Sequence, residues 1–286
     1  MKFDYLEPRT IEEASSLLVQ HQDRVKMIAG GTDLMNQVRL KRIKPQYVMD
    51  ISYIPGLDRI QYDAEGRLSI GALATIRSVE MSAEIRERHP VVSQAAGLLG
   101  SMAIRNMGTI GGNLCNASPS AEMAPSLIGL GASVKVGGSD GGRTVALEEF
   151  FTGPGETVLQ TGELMVEIQV PPMPSQTEGV YLKHTTRGTA NPAIVGVAAI
   201  VAMEGKQCTE AKLVLGAVAP TPIRAKKAEE ILTGEEMDDV LIEKAAQAAS
   251  DESRPISDVR ASAEYRKDMV KVFTGYALRK CHEVTR

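Results

Sequence analysis

Two glycine-rich segments carry the residues of this chain that could do chemistry. The first covers residues 29–34 (Ala-Gly-Gly-Thr-Asp-Leu), and the second covers residues 109–113 (Thr-Ile-Gly-Gly-Asn), about 80 residues later. Paired glycines permit positive φ angles and let backbone amides approach an anion with no side chain in the way. Small hydrogen-bonding side chains follow each pair, namely Thr32 and Asp33, then Asn113, Asn116 and Ser118. The pattern predicts two contact points on one long, phosphate-bearing cofactor.

Other common chemistries lack their motifs. The first segment does not have the G-x-G-x-x-G spacing of a dinucleotide-binding Rossmann unit, and no Gly-Lys-Ser/Thr ending indicates a P-loop. No serine or cysteine lies in a recognisable nucleophile elbow. The four histidines lack metal-ligand spacing, and the three cysteines fit neither a disulfide framework nor a zinc or iron–sulfur set; these residues are His21, His89, His184, His282, Cys115, Cys208 and Cys281. The sequence predicts a binding apparatus without an acid–base set and without a metal site.

Composition limits the class of protein. The chain has 286 residues, 43% of them hydrophobic, which is enough for a sizeable core and favours two domains. Its formal net charge is -4 and it has no long basic block, so binding to nucleic acid or to anionic lipid is not expected. No apolar run reaches the length of a membrane span, and the first residues lack a signal-peptide core. We therefore expect a cytoplasmic protein.

Hydrophobic periodicity predicts the elements around both glycine segments. Strands are expected at residues 25–29, 47–51, 68–72 and 133–136, and helices at 10–20, 34–40, 90–102 and 122–130, with another helix opening at Thr75. The strand, glycine turn and helix over residues 25–40 would place amides at a helix N-terminus, which favours phosphate. A third glycine-dense stretch, residues 137–142, is interpreted as a hairpin turn because no helix follows it.

A proline-rich stretch at residues 170–175 marks a predicted domain boundary, because three prolines cannot continue a central strand. Beyond it, strands are expected at 179–185, 193–203 and 211–218. Helices are expected at 222–232, 237–249 and 264–280. Strands followed by a block of helices indicate an α+β domain. The predicted division is residues 1–174 and residues 175–286.

The motifs, taken together, resemble one known family. Residues 28–34 (IAGGTDL), 104–114 (IRNMGTIGGNL) and 117–122 (ASPSAE) look like the FAD-binding medium subunit of molybdenum hydroxylases, as in carbon monoxide dehydrogenase and xanthine dehydrogenase. The similarity continues into the C-terminal part at residues 181–183 and 193–197. It implies an α+β fold: a two-subdomain FAD-binding domain of the PCMH/VAO-like type, followed by a smaller α+β domain with an antiparallel sheet and helices.

The resemblance also implies where FAD is held. Both glycine segments would contact its pyrophosphate between the two subdomains, with the flavin ring near the C-terminal domain. The implied binding residues are Lys26, Ala29, Gly30, Gly31, Thr32, Asp33 and Leu34 from the first segment, and Thr109, Gly111, Gly112, Asn113 and Ser118 from the second.

Three further residues are assigned to the cofactor by resemblance, and each has a plain structural alternative. Glu122 stands where relatives commonly carry Asp, and an acid at a helix N-terminus is the alternative. Lys183 matches a lysine near the flavin, where a cation would stabilise the reduced ring, and a solvated strand lysine is the alternative. Leu164 matches an apolar residue that packs on the isoalloxazine, and an ordinary core leucine is the alternative. Asn191 replaces the acid of the family pattern beginning at Arg187, so the role of that acid is not transferred.

The resemblance implies partners as well. A small subunit with two [2Fe–2S] clusters would deliver electrons to FAD, and a large molybdopterin-containing subunit would oxidise the substrate. The final acceptor could be a quinone, NAD or another carrier, and the assembly would be a heterotrimer that pairs into a hexamer. Two alternatives stay open: a self-contained FAD-dependent reductase of the same fold, and an assembly module that has lost FAD. The intact glycines disfavour the module, and the missing substrate-site motif disfavours the reductase.

Overall fold

The computed structural model describes residues 2–139, 141–188 and 190–284, which form four sheets and eleven α-helices. The first sheet has three parallel strands in the order β1-β3-β2. Thr10 caps the first helix, its side chain accepting a hydrogen bond from the Glu13 amide at 3.1 Å. The elements of this unit are β1 (Asp4–Leu6), α1 (Ile11–His21), β2 (Val25–Ile28), α2 (Leu34–Arg39) and β3 (Tyr47–Asp50).

The second unit is a five-stranded antiparallel sheet, in the order β4-β5-β10-β6-β7, together with a group of short helices. Its first part contains β4 (Ile60–Tyr62), β5 (Leu68–Gly71), α3 (Ile76–Met81), α4 (Ala83–Arg88), α5 (Pro90–Gly97), α6 (Met102–Met107), α7 (Ile110–Cys115) and α8 (Met123–Gly129). Its second part contains β6 (Ser133–Gly137), β7 (Arg143–Ala146), the small hairpin of β8 (Phe151–Gly153) and β9 (Glu156–Thr157), and β10 (Leu164–Val170).

The third unit is a four-stranded antiparallel sheet backed by three helices. Strand residues alternate between two cores: Val197 and Ala199 face the helices of this unit, while Ala198 and Ile200 join the core of the second unit. This sheet is therefore shared between both parts of the chain. The elements are β11 (Thr177–His184), β12 (Val195–Glu204), β13 (Gln207–Gly216), β14 (Ile223–Arg224), α9 (Lys226–Leu232), α10 (Asp239–Glu252) and α11 (Ala263–Val284).

Most predicted strands and helices are confirmed to within a few residues, but three predictions are wrong. The helix predicted over residues 90–102 is two helices, because Gly100 adopts a left-handed φ of 50° and Ser101 caps a new helix. The helix predicted from residue 222 begins at Lys226, since the short strand β14 occupies its start. The second glycine segment forms the first turn of helix α7, where the sequence pattern predicts no helix.

The hairpin predicted at residues 137–142 joins β6 to β7, although Asp140 lies outside the described residues. None of the described helices is long and apolar enough to cross a bilayer.

One arginine holds the break between α5 and α6. Arg105 Nε donates to Glu80 Oε2 at 2.8 Å, and its Nη1 donates to the carbonyl oxygens of Leu99 and Gly100, both at 3.1 Å. The Arg105 side chain is largely buried, at 12% exposure, so water would replace these bonds poorly. Arg105 thereby fixes the start of the segment that leads to the second glycine motif.

We predict that Arg105→Met lowers the free energy of unfolding by about 2–4 kcal/mol, because two carbonyl groups lose their donor and Glu80 keeps only its ion pair with Arg77. The matched control is Arg67→Met, which removes an exposed pair with Asp63 and should cost less than about 1 kcal/mol. Denaturant unfolding of both variants measures the difference. Equal costs for the two would show that the Arg105 network does not stabilise the fold.

Candidate cofactor-binding site

A cleft of about 550 Å³ lies between the first, parallel sheet and the helices of the second unit. Ligand sites commonly occupy roughly 300–1,000 Å³, so this cleft is large enough for an organic cofactor. All the residues assigned to the cofactor from the sequence line it, except Ser118, Glu122 and Lys183. Those that do are Lys26, Ala29, Gly30, Gly31, Thr32, Asp33, Leu34, Thr109, Gly111, Gly112, Asn113 and Leu164.

The first glycine segment packs against residues 107 and 108, which directly precede the second segment, because residue 30 has no side chain. A Cβ atom on Gly30 would lie 1.8 Å from the carbonyl oxygen of Met107, which is far inside van der Waals contact. Gly108 is bound in turn to the start of α3, since the Ile76 amide donates to the Gly108 carbonyl at 2.9 Å. Each segment therefore fixes the position of the other.

The first segment presents free backbone amides to the cleft. The Gly31 and Asp33 carbonyls accept the amides of Met35 and Gln37, both at 3.0 Å, which starts helix α2. The amides of residues 30–33 donate to no acceptor in the part of the chain that the structure describes. Gly31 has a φ of 68°, the left-handed conformation that only glycine adopts at little cost. Successive amides in such a turn form a concavity that binds anions.

The second segment works differently from the sequence-based expectation. Gly111 and Gly112 are helical, and their amides already donate to Ala72 O at 2.9 Å and to Thr109 Oγ1 at 3.1 Å. These glycines do not offer free amides to a phosphate. Instead they allow close packing, because a Cβ on Gly111 would lie 2.6 Å from Ala72 O.

On this wall of the cleft, the side chain of Asn113 has a polar atom without a hydrogen-bond partner among the described residues. Its Oδ1 is buried and accepts no hydrogen bond from any described residue. A buried acceptor without a partner is unfavourable, by about 1–3 kcal/mol, unless a ligand or water satisfies it. The cleft thus has backbone amides without acceptors on one wall and an acceptor without a donor on the other, an arrangement that suits a cofactor with both phosphate and N–H or O–H groups.

Comparisons with known proteins agree with this geometry. Residues 1–173 match the family described as the FAD binding domain in molybdopterin dehydrogenase, and residues 180–281 match the CO dehydrogenase flavoprotein C-terminal domain. The chain belongs to the FAD-binding medium subunits of the molybdenum hydroxylases.

Similar proteins span the whole of this medium subunit. The glyceraldehyde dehydrogenase medium chain of Sulfolobus acidocaldarius is 32% identical over 98% of both chains. The carbon monoxide dehydrogenase medium chain of Afipia carboxidovorans is 30% identical over 97% of this chain and 96% of its own.

Solved structures give the same result. Carbon monoxide dehydrogenase from Hydrogenophaga pseudoflava superposes with a TM-score of 0.95 at 32% identity, covering 98% of this chain and 96% of that one. Quinoline 2-oxidoreductase from Pseudomonas putida 86 gives 0.94 at 27% identity, covering 100% and 98%. The expected α+β architecture and the FAD-binding family are confirmed.

Glu122 and Lys183 are not part of the lining of the medium subunit's cleft; they form a buried ion pair. Lys183 Nζ donates to Glu122 Oε1 at 2.7 Å and to Leu98 O at 2.9 Å, and the lysine side chain is 1% exposed. The solvated-lysine interpretation is therefore wrong. Glu122 is the first residue before helix α8, but its carboxylate pairs with Lys183 and makes no cap hydrogen bond.

Burial raises the pKa of Glu122, and the Asp33 carboxylate raises it further, while Lys183 opposes both effects. The pair also joins the two parts of the chain, since Glu122 precedes α8 and Lys183 lies on β11. A direct contact of Glu122 or Lys183 with the cofactor therefore stays a prediction. Ser118 likewise lies outside the cleft lining, and its hydroxyl pairs with that of Ser120 at 3.1 Å.

Two residues of the medium subunit both line the cleft and pack against the core. Leu164 lines the cleft and is also a core leucine, at 1% exposure. Cys115 lines the cleft too, and desolvation raises the pKa of its thiol to about 12. A thiol with so high a pKa stays protonated, which favours an inert packing role over oxidation sensitivity.

Sequence reasoning missed several lining residues. Asn116 was noticed as a small polar residue near the second segment but was not assigned to the cofactor. Gly155 comes from the turn between β8 and β9, and its amide donates to Ala117 O at 2.9 Å. The others are apolar or belong to neighbouring helices, so no sequence signal marked them; they include Gln37, Ile43, Ala72, Leu73, Ile76, Leu99, Ile104 and Met165.

We predict that Gly30→Ala separates the two segments, because the new methyl group would collide with the Met107 carbonyl. The expected result is loss of most bound FAD and a destabilisation of about 1–3 kcal/mol. Gly97→Ala is the control, since its Cβ would meet nothing closer than 3.5 Å, at Glu80 Oε1. Flavin absorbance per chain measures retention. Full flavin content in Gly30→Ala would contradict the proposed contact.

We predict that Lys183→Met makes stability more sensitive to pH. A carboxyl whose folded pKa is raised binds its proton more tightly in the folded state, so stability falls as pH rises from about 4.5 through the folded pKa. Removing Lys183 raises that pKa further. The difference in the free energy of unfolding between wild type and Lys183→Met should therefore increase above pH 4.5, to about 3–5 kcal/mol near neutrality.

Chemical unfolding across this pH range tests the effect of Lys183→Met. The double variant Glu122→Gln, Lys183→Met carries no carboxyl at this place and should lose the steep dependence. If the free energies of unfolding of wild type and Lys183→Met differed by the same amount at all pH values, the Glu122–Lys183 pair would not be the source of the pH dependence.

Proposed function

We propose that this chain binds FAD in the cleft and serves as the electron-transfer subunit of a molybdenum hydroxylase complex. It would take electrons from the [2Fe–2S] clusters of a small partner subunit and pass them to an external acceptor. The observation that carries this proposal is the cleft itself, which joins both glycine segments in a chain of this family. Bound FAD would supply a redox centre that accepts electrons singly and releases them in pairs.

Different groups of the chain would bind different parts of the cofactor. The amides of residues 30–33 would bind the pyrophosphate, since charge-assisted hydrogen bonds of this kind contribute roughly 1.5–3 kcal/mol each. Asn113 Oδ1 would accept a hydrogen bond from an N–H or O–H group of the cofactor. Leu164 and Leu99 would provide an apolar wall against the cofactor. We place the division between the FAD-binding domain and the C-terminal domain at residues 174 and 175.

Substrate oxidation would take place on a separate molybdopterin-containing subunit. Relatives are named for substrates as different as glyceraldehyde, carbon monoxide and quinoline, while their medium chains share this fold. The shared fold supports a common electron-transfer task and a substrate chosen elsewhere in the complex. A cytoplasmic heterohexamer, with a quinone, NAD or another carrier as acceptor, stays a prediction.

The first test is the absorbance spectrum of the purified chain, alone and with added FAD, followed by mass spectrometry of the released cofactor. We expect one FAD per chain. Asn113→Ala should weaken FAD binding by about tenfold, because it removes the unpaired acceptor. Asn36→Ala is the control, since Asn36 lies on α2 and its amide oxygen accepts from Arg39 Nη2 at 3.2 Å. Unchanged affinity in Asn113→Ala would remove that residue from the binding set.

The second test adds the partners. Co-purification with an iron–sulfur subunit and a molybdenum subunit, and flavin reduction that requires the iron–sulfur subunit, would support the electron-transfer role. A flavinated chain that oxidises or reduces a small substrate by itself would support the self-contained reductase instead. A chain that takes up no FAD even with its partners would leave only the assembly module.

A further inference from the structure

A buried arginine on the last helix is connected to the cofactor cleft through a strained turn. Arg266, on α11, is 3% exposed. Its Nη1 donates to Ile194 O at 2.8 Å and to Ala217 O at 3.1 Å, and its Nη2 donates to Asp258 Oδ1 at 2.8 Å. The guanidinium fork thus joins the start of β12, the turn after β13 and the loop before α11.

The turn that Arg266 holds has an unusual backbone. Ala217 adopts a left-handed φ of 64°. This conformation costs an L-residue on the order of 1–2 kcal/mol, so surrounding contacts must maintain it. Both polar groups of the residue are bound: its carbonyl accepts from Arg266, and its amide donates to Pro119 O at 2.7 Å.

The far end of this connection lies next to the cleft. Pro119 follows Ser118 directly and is three residues from Asn116, which lines the cleft. A second contact runs in parallel, since a Cβ on Gly216 would lie only 2.9 Å from Pro125 Cγ. The turn at residues 216–217 therefore touches the 116–125 segment at two points.

The segment itself is also held in an uncommon conformation. Ala117 has a left-handed φ of 45°, and its carbonyl accepts the amide of Gly155, another residue of the cleft lining. A displacement of Pro119 would thus also displace Asn116 and Gly155. The hydrogen bond from the Ala217 amide to Pro119 O therefore joins two segments, and each contains an alanine with a left-handed backbone, Ala117 or Ala217.

We propose that Arg266 is a positioning residue for FAD, which acts by holding the Ala217 turn against the 116–119 segment of the cleft. The proposal rests on the proposed function, since it concerns affinity for that cofactor. It assigns to the C-terminal domain a part in cofactor retention through a residue about 150 positions away from the segment it positions.

The test compares two arginines of the same helix. Arg266→Gln removes the fork, whereas Arg279→Gln removes bonds to Asp239 and Glu243, which do not reach the cleft. We expect Arg266→Gln to raise the dissociation constant of FAD, titrated into the apoprotein, by about tenfold or more. Arg279→Gln should leave it within about twofold, although both variants lower the melting temperature.

The conservative variant Arg266→Lys keeps the charge beside Asp258 but has no planar fork, so it should restore part of the affinity and not all of it. It also provides a folded variant if Arg266→Gln does not fold. A melting temperature that falls while FAD affinity stays at the wild-type value, in either Arg266 variant, would show a merely structural role and overturn the proposal.

Hydrogen exchange in the apoprotein separates this proposal from the proposed function. We expect the Ala217 amide and the peptide covering residues 116–121 to exchange faster in the Arg266 variants and at the wild-type rate in Arg279→Gln. Unchanged exchange would overturn the positioning role whether or not the wild-type chain binds FAD. A wild-type chain that takes up no FAD would overturn the proposed function and, with it, the role of Arg266 in retention.

Discussion

The cleft depends on the contact between residue 30 and the carbonyl of Met107. Any side chain at position 30 would collide with that carbonyl, because even a Cβ atom would approach it to 1.8 Å. The contact brings a turn with free backbone amides, which follows a strand of the small parallel sheet, against the helices of the second unit. Neither unit forms the cleft alone, so the geometry of the site follows from the absence of one methyl group.

The two glycine pairs have different physical roles, although they look alike in the sequence. The first frees a run of amides, helped by the left-handed Gly31. The second commits its amides to Ala72 and Thr109 and uses the absence of Cβ atoms to bring helix α7 close to the end of β5. On the cleft lining, α7 carries Asn113, whose side-chain oxygen has no partner among the described residues. The site combines free backbone donors with one oriented acceptor.

The C-terminal sheet joins this site to the rest of the molecule. Alternate residues of β12 pack into both cores, and the buried pair of Glu122 and Lys183 crosses the same junction. Burial and Lys183 act in opposite directions on the pKa of Glu122, and burial has the larger effect. The two cores are coupled at this junction, because close packing means that neither can shift without disturbing the other. The Arg266 network lies in the same part of the molecule and connects α11 to the segment beside the cleft.

The sequence by itself determined the FAD-binding family, the approximate order of strands and helices, and the glycine-segment residues that line the cleft. Glycine pairs and hydrophobic periodicity are local features of the sequence, so they can be recognised without the tertiary structure. Only the tertiary structure decided that Gly111 and Gly112 are helical, that Lys183 is buried against Glu122, and that Gly155 and Asn116 face the cleft. These features depend on contacts between residues distant in the chain. Pairing of a buried charge, or of an amide with a remote carbonyl, leaves no periodicity in the sequence.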